Sequence, residues 1–231
     1  MKIIIISIIV VLFSWVIYLI PNNFLTLDLF RIKEIKIQVK SKKLTRELTT
    51  MANTLYNSNI WGIDLKDMKD FLEKDIRIKN AVVESNSLGK VLIKVNEREI
   101  KYYAQMDGKI YLVDENGVLF GFFKDREEIG SYFLKVKNTE EIKELLKICK
   151  IIDENILKNI VSQVYIKNKN CVEIILLDKT IIKTNFEVKE NKYKIAEHLY
   201  YSLRKTNNIE YIDIRFNDFI VKNLGEVNDE R

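Results

Sequence analysis

Ile3 to Ile20 form an almost unbroken apolar run, interrupted only by Ser7 and Ser14 and closed by Pro21. A helix rises about 1.5 Å per residue, so the run reaches roughly 27 Å, close to a bilayer hydrocarbon core of about 30 Å. The rest of the chain is polar-patterned. The pattern predicts a tail of residues 1–2, a transmembrane signal-anchor helix over 3–20 and a folded portion on one side of the membrane. A cleaved signal peptide is the competing reading. The run exceeds the usual h-region, however, and Ile20-Pro21-Asn22-Asn23 offers no small-residue cleavage site. Charge does not fix the orientation. Arg31, Lys33 and Lys36 outnumber Lys2 before the helix, yet long domains translocate largely regardless of such counts.

Composition bounds the remainder. A net charge of +5, with Lys dispersed among 33 acids, marks no nucleic-acid partner. The densest basic stretch, Arg31 to Lys43, reads either as a solvated strand face or as a contact for anionic headgroups. Cys149 and Cys171 are too few for a disulfide framework and read as buried thiols.

Residues Ile32 to Val39 alternate as a half-buried strand. Thr45 is read as the cap of a helix carrying Leu48, Met51, Ala52 and Leu55, and Asp64 as the cap of a second with Leu65, Met68 and Leu72. Strands over 80–84 and 91–95 follow, joined through Ser87-Leu88-Gly89. The order is strand, helix, helix, strand, strand, with the helices covering one face of a three-stranded sheet. Glu97-Arg98-Glu99 leads without a linker into a mixed β domain, residues 99–223, with hairpin turns at Asp107-Gly108 and Asn116-Gly117. Its two helices are expected from Asn138 to Lys158 and from Lys189 to Lys205, the second carrying Ile195, Ala196, Leu199 and Leu203. Residues 224–231 read as a disordered tail. The fold class is α+β.

Chemistry is sparse. His198 has no companion ligands for zinc, and neither a G-x-S-x-G elbow nor a Gly-rich phosphate loop occurs. The sequence predicts no catalytic, cofactor or metal site, and no small-molecule substrate. Attention moves to the closing hairpin. Ile212, Ile214 and Phe216 alternate with Asp213 and Arg215, placing three apolar side chains inward and the charged pair outward. Phe219 to Lys222 then form the last strand, an expected sheet edge. Such an edge is either a docking site for a partner strand or merely an edge protected by Lys222.

Three stretches resemble a known family. Lys79 to Val83 through Val91 to Arg98 is similar to paired strands ending in I-x-V-x-E-R, Tyr111 to Phe120 to an L-x-D-x-x-G-x-x-F hairpin, and Tyr211 to Phe216 to a Y-I-D-L-R-Y strand. Their order behind one apolar helix resembles the bacterial cell-division proteins FtsQ/DivIB, with residues 30–98 similar to a POTRA (polypeptide-transport-associated) domain. The sequence departs where Ile78 and Leu88 replace frequent prolines and Phe216 replaces a frequent Tyr. The resemblance implies a non-catalytic divisome scaffold in the cytoplasmic (inner) membrane at the septum, N-terminus inside and bulk outside, which helps control septal peptidoglycan synthesis. Its implied partners are FtsB-like and FtsL-like proteins. Arg215, Phe216, Phe219, Ile220, Val221 and Lys222 match the family's partner-binding edge, with Arg215 meeting a partner carboxylate. The POTRA-like module would serve septal recruitment. Two alternatives compete: a POTRA-bearing factor in polypeptide translocation or envelope assembly, and a membrane-anchored wall hydrolase or transferase.

Overall fold

Period-two alternation along Glu34–Gln38 (β1) and Lys90–Glu97 (β3), with Ile78–Asn86 (β2) alternating beyond a bulge between Ile78 and Asn80, builds a three-stranded sheet in the order β1-β3-β2. The structure, a computed structural model, describes residues 2–25, 28–86, 89–123, 130–205 and 208–224. Two units divide at Arg98/Glu99.

In the first unit, Lys2–Leu25 form helix α1. The expected transmembrane span over 3–20 is not found: among the described residues, no helix is long and apolar enough to cross a membrane. Side chains of α1 are described only over 5–16, and twelve residues rise about 18 Å. The apolar ones among them are all exposed, from Ile5 to Val16.

Strand β1 runs parallel to β3, with Ile35 opposite Val91 and Ile37 opposite Ile93, and β2 runs antiparallel to β3. A parallel pair needs a long crossover, supplied here by α2 (Lys42–Asn53), α3 (Leu65–Glu73) and β2. Leu44, Leu48, Ala52 and Leu72 seal against Ile78, Ala81, Val91, Ile93 and Val95. Asp64 caps α3 as expected, accepting from the Lys66 and Asp67 N–H groups. Thr45 does not cap α2. Ser41 does, accepting from the Leu44 N–H, while the Thr45 hydroxyl donates back to the Ser41 carbonyl from inside the helix. The apolar stripe begins at Leu44, a turn before Leu48, and pulls the helix start with it. Glu97 fastens that start to β3 by accepting the Ser41 N–H at 2.6 Å.

The second unit is a nine-stranded sheet. Its strands are β4 (Tyr102–Met106), β5 (Lys109–Val113), β6 (Leu119–Phe122), β7 (Phe133–Lys135), β8 (Val161–Asn168), β9 (Cys171–Leu176), β10 (Ile181–Thr184), β11 (Ile209–Asp213) and β12 (Ile220–Asn223). They lie in the order β12-β11-β10-β9-β8-β7-β4-β5-β6. Helix α4 (Thr139–Asp153) packs on β8, α5 (Glu190–Leu203) on β11, and the two helices touch each other. Val164, Val172, Ile174, Ile182 and Ile212 meet Leu145, Ile148, Cys149, Tyr193, Ala196 and Tyr200 in the core.

Two expectations need correction, and one strand goes unannounced in the sequence. Strand β7 has no periodicity to announce it in three residues, yet it pairs in parallel with both β4 and β8 and joins the two halves of the sheet. Helix α4 stops at Asp153 rather than Lys158, and the Asn155 amide donates to the Ile151 carbonyl just beyond. In α5 the buried face is Tyr193, Ala196 and Tyr200, with Ile195 46% exposed. The tyrosines win because their hydroxyls find partners, Thr184 Oγ1 at 2.7 Å and Asp178 Oδ2 at 2.7 Å, while their rings fill the core. Cys149 and Cys171 are free buried thiols, and burial pushes the Cys149 thiol up to about 12.

Gly89 carries the tightest backbone approach in the first unit. Its φ is +75°, and a Cβ there would lie 2.0 Å from the Arg31 carbonyl oxygen. Gly89→Ala is expected to destabilise the first unit by about 2–3 kcal/mol or more, from strain plus displaced backbone. Gly62→Ala, with nothing within 4 Å, should change stability by less than about 0.5 kcal/mol. Urea unfolding of the two variants, followed by circular dichroism, checks the contrast.

Candidate partner-docking edge

Strand β12 is one of the two outer strands of the nine-stranded sheet. It pairs antiparallel with β11, Tyr211 opposite Lys222 and Asp213 opposite Ile220. Two hydrogen bonds fix which backbone groups face outward. The Ile214 N–H donates to the Lys183 carbonyl, and the Leu224 N–H to the Asn208 carbonyl at 2.8 Å. By strand alternation, Ile220, Lys222 and Leu224 direct their backbone groups at β11, and Val221 and Asn223 direct theirs to the side where no further strand pairs among the described residues. Leu224, expected in the disordered tail, therefore continues the ladder. Residues 225–231 lie outside the described residues.

A polar row supports this edge on the face turned away from α4 and α5. Tyr165, Glu173, Lys183, Asp213 and Ile220 stand opposite one another across five adjacent strands. Glu173 and Asp213 are buried. Glu173 accepts from the Tyr165 hydroxyl and from Lys167 Nζ at 2.6 Å. Burial pushes its carboxyl up, but these donors and Lys183 outweigh that and hold it below the usual carboxylate range. Lys183 Nζ lies 3.3 Å from the Tyr211 ring centroid. The row ends on the exposed Ile220.

The structure sorts the six sequence-derived residues into different duties. Arg215 is engaged within the chain. Its guanidinium holds Asp213 through two bonds, Nε to Oδ1 at 2.9 Å and Nη2 to Oδ2 at 2.6 Å, and Nη1 reaches the Asn170 carbonyl at 3.3 Å. Phe216 does not face the core as alternation predicts. Strand β11 ends at Asp213, the phase is lost, and the ring is 52% exposed with the Arg215 guanidinium 5.3 Å from its centroid. Asp213 faces away from the helix-covered core as expected, but it is buried there beneath Arg215. Phe219 and Val221 pack against the core. Ile220 and Lys222 are exposed, with Lys222 paired to Glu210 at 2.7 Å.

Sequence reasoning missed Lys192 of α5. Its Nζ donates to the carbonyls of Ile214 and Phe216 and stands 5.6 Å from the Phe219 ring centroid, so the helix fastens the turn between β11 and β12. Nothing in the spacing of a lysine on an amphipathic helix announces that reach. Among the described residues, no group of His, Cys, Asp or Glu is arranged to hold a metal ion.

Comparison with known proteins places this geometry in context. A sequence profile described as the FtsQ-type POTRA domain matches residues 30–98, and one described as the C-terminal part of cell division protein FtsQ/DivIB matches 102–215. The second ends just before Phe216, so β12 lies beyond it. The cell division protein DivIB of Solibacillus silvestris is 26% identical over 172 residues, 74% of this chain and 58% of that protein. The DivIB of Clostridium tetani is 26% identical over 89 residues, 38% of this chain and 33% of that one. The chain thus spans little more than half of one relative and a third of the other. The solved major extracytoplasmic domain of DivIB from Geobacillus stearothermophilus aligns at 15% identity with a TM-score of 0.33, covering 48% of this chain and 98% of that domain.

The Asp213–Arg215 pair has a pH signature. Burial raises the Asp213 carboxyl, but Arg215 and Lys183 lower it further, leaving it below its ordinary value. A depressed carboxylate stabilises fully above its unfolded pKa of about 3.9, and that stabilisation is lost as pH falls through the lower folded value. Asp213→Asn should therefore cost about 1–3 kcal/mol at neutral pH. The gap between variant and wild type should narrow below about pH 4. Urea midpoints across pH 3–7 read it directly.

Proposed function

Because the chain belongs to the FtsQ/DivIB family, we propose that it acts in bacterial cell division as a non-catalytic membrane scaffold that captures a partner strand along β12. The observation that carries this reading is the edge itself. The backbone groups of Val221 and Asn223 face the open side, Phe216 and Ile220 expose apolar surface beside them, and Lys192 and Arg215 hold the turn in place. A partner segment adding there would satisfy the outward N–H and C=O groups and cover both apolar side chains.

In this reading the partners are FtsB-like and FtsL-like proteins, and the consequence of their capture is control of septal peptidoglycan synthesis. Arg215 serves first to position the turn. A partner carboxylate would have to compete with Asp213 for its guanidinium. The 18-residue apolar run Ile3–Ile20 would anchor the chain in the cytoplasmic membrane, supported by its sequence, its helical backbone and the exposure of its described apolar side chains. The folded units would then lie outside the cell, with the POTRA unit serving recruitment to the septum.

Two variants test the edge. Asn223→Pro removes an outward N–H without touching the β11–β12 ladder, and Phe216→Ala removes exposed apolar surface. Together they should weaken binding of an FtsB-like partner by about tenfold or more, equivalent to roughly 1.4 kcal/mol. The circular dichroism spectrum should stay unchanged. Titration calorimetry gives the affinities, and an unchanged value in the folded double variant removes the edge from the mechanism. In dividing cells, a fluorescent fusion should gather at midcell and depletion should give filaments. Uniform envelope fluorescence with normal division would contradict the division role.

A further inference from the structure

We infer that the loop carrying Trp61 is a lipid-interface contact that seats the POTRA unit on the membrane surface, an inference that rests on the membrane reading of α1. Trp61 is 62% exposed, in a short 3₁₀ turn (Ile60–Gly62), and neighbouring Tyr56 is 45% exposed. Two large aromatic rings thus stand exposed on one loop beside the buried Phe30 and Ile60, an apolar surface of the kind that marks a membrane or partner contact.

Chain connectivity supplies the reason. The Trp61 loop is bound to the segment that immediately follows α1. Ile32 N–H donates to the Ser58 carbonyl at 2.9 Å, and Asn57 N–H to the Ile32 carbonyl at 3.0 Å. Arg31 forms a β-bridge with Asn59, and its guanidinium donates to the Asn57 carbonyl at 3.0 Å. The Trp61 ring meets Phe30 edge-on, with centroids 6.1 Å apart. Phe30 follows the last residue of α1 by five positions, a reach of at most about 18 Å even for extended chain. The loop cannot drift away from the end of the helix, because its backbone is fastened to the tether.

The residue types fit the place. Trp and Tyr concentrate at the headgroup level, where an apolar ring and a polar N–H or O–H are both accommodated. The Asn59 side chain accepts the Trp61 N–H of the backbone at 2.9 Å, fixing the turn that presents the ring. Lys33 lies two residues beyond Arg31, where an anionic headgroup would meet it.

The chain offers its own pair of reporters, since Trp15 in the apolar run and Trp61 are its only tryptophans. The full chain, as Trp15→Phe and separately as Trp61→Phe, is reconstituted into vesicles of phosphatidylcholine and phosphatidylglycerol. Some vesicles carry a nitroxide on the headgroup and others carry one deep in the acyl chain. The expected result is deep-label quenching of Trp15, with Trp61 blue-shifted, quenched by the headgroup label and shielded from aqueous iodide. Deep quenching of Trp15 with Trp61 open to iodide and untouched by either label overturns the inference alone, and leaves that ring to a protein partner. Absence of quenching at Trp15 overturns the membrane reading and the inference with it.

Discussion

A sheet that does not close must end on strands with half their backbone groups unpaired, and this constraint organises the second unit. Nine strands run from β6 to β12, and α4 and α5 cover one face. The other face is held in register near β12 by the row from Tyr165 through Glu173 and Lys183 to Asp213. Two buried carboxylates are tolerable there because each has two cations beside it, Lys167 and Lys183 for Glu173, and Lys183 and Arg215 for Asp213. Slipping the register by one residue would turn those carboxylates into the apolar core. The same charges that pin the register therefore pin the position of the edge, and Lys192 reaches from α5 to fix the turn that leads into it.

The family-like motifs have structural duties that the sequence does not state. Glu97, near the end of the I-x-V-x-E-R stretch, ties β3 to the start of α2 through the Ser41 N–H. Asp114, in the L-x-D-x-x-G-x-x-F hairpin, is buried and accepts from the Asn116 and Val118 N–H groups, which closes the turn. Gly117 in that turn has a φ of +79°, and a Cβ there would come within 3.0 Å of Leu146. Asp213, the last residue of β11, pairs with Arg215 just beyond it. These residues build the scaffold on which an edge can be presented.

Most of the element order was legible because alternation and helical periodicity are long-lived signals over eight or more residues. The β-α-α-β-β order, the Asp64 and Asn138 caps and the closing hairpin all follow from local pattern. Three kinds of feature escaped. Strand β7 is too short for any period, and its pairing depends on strands 30 residues away on each side. The Tyr193–Tyr200 face of α5 hides behind a more apolar stripe, because hydroxyl partners on β10 and in the β9–β10 turn are tertiary facts. At the candidate edge, sequence located the strand and turned Asp213 away from the core, but it misplaced Phe216 and did not show that Asp213 is buried. Two residues past Asp213 the extended phase has ended, and the burial of Asp213 depends on an arginine folded back over it and on Lys183 across the strand pair.

Amide hydrogen exchange tests residue by residue whether β12 is an open template for a partner strand. In the free chain, the amides of Ile220 and Lys222 should be protected by β11 and those of Val221 and Asn223 should exchange quickly. On adding an FtsB-like partner, the account predicts slowed exchange at Val221 and Asn223, with Ile220 and Lys222 little changed. Binding that leaves Val221 and Asn223 exchanging as in the free chain would contradict it.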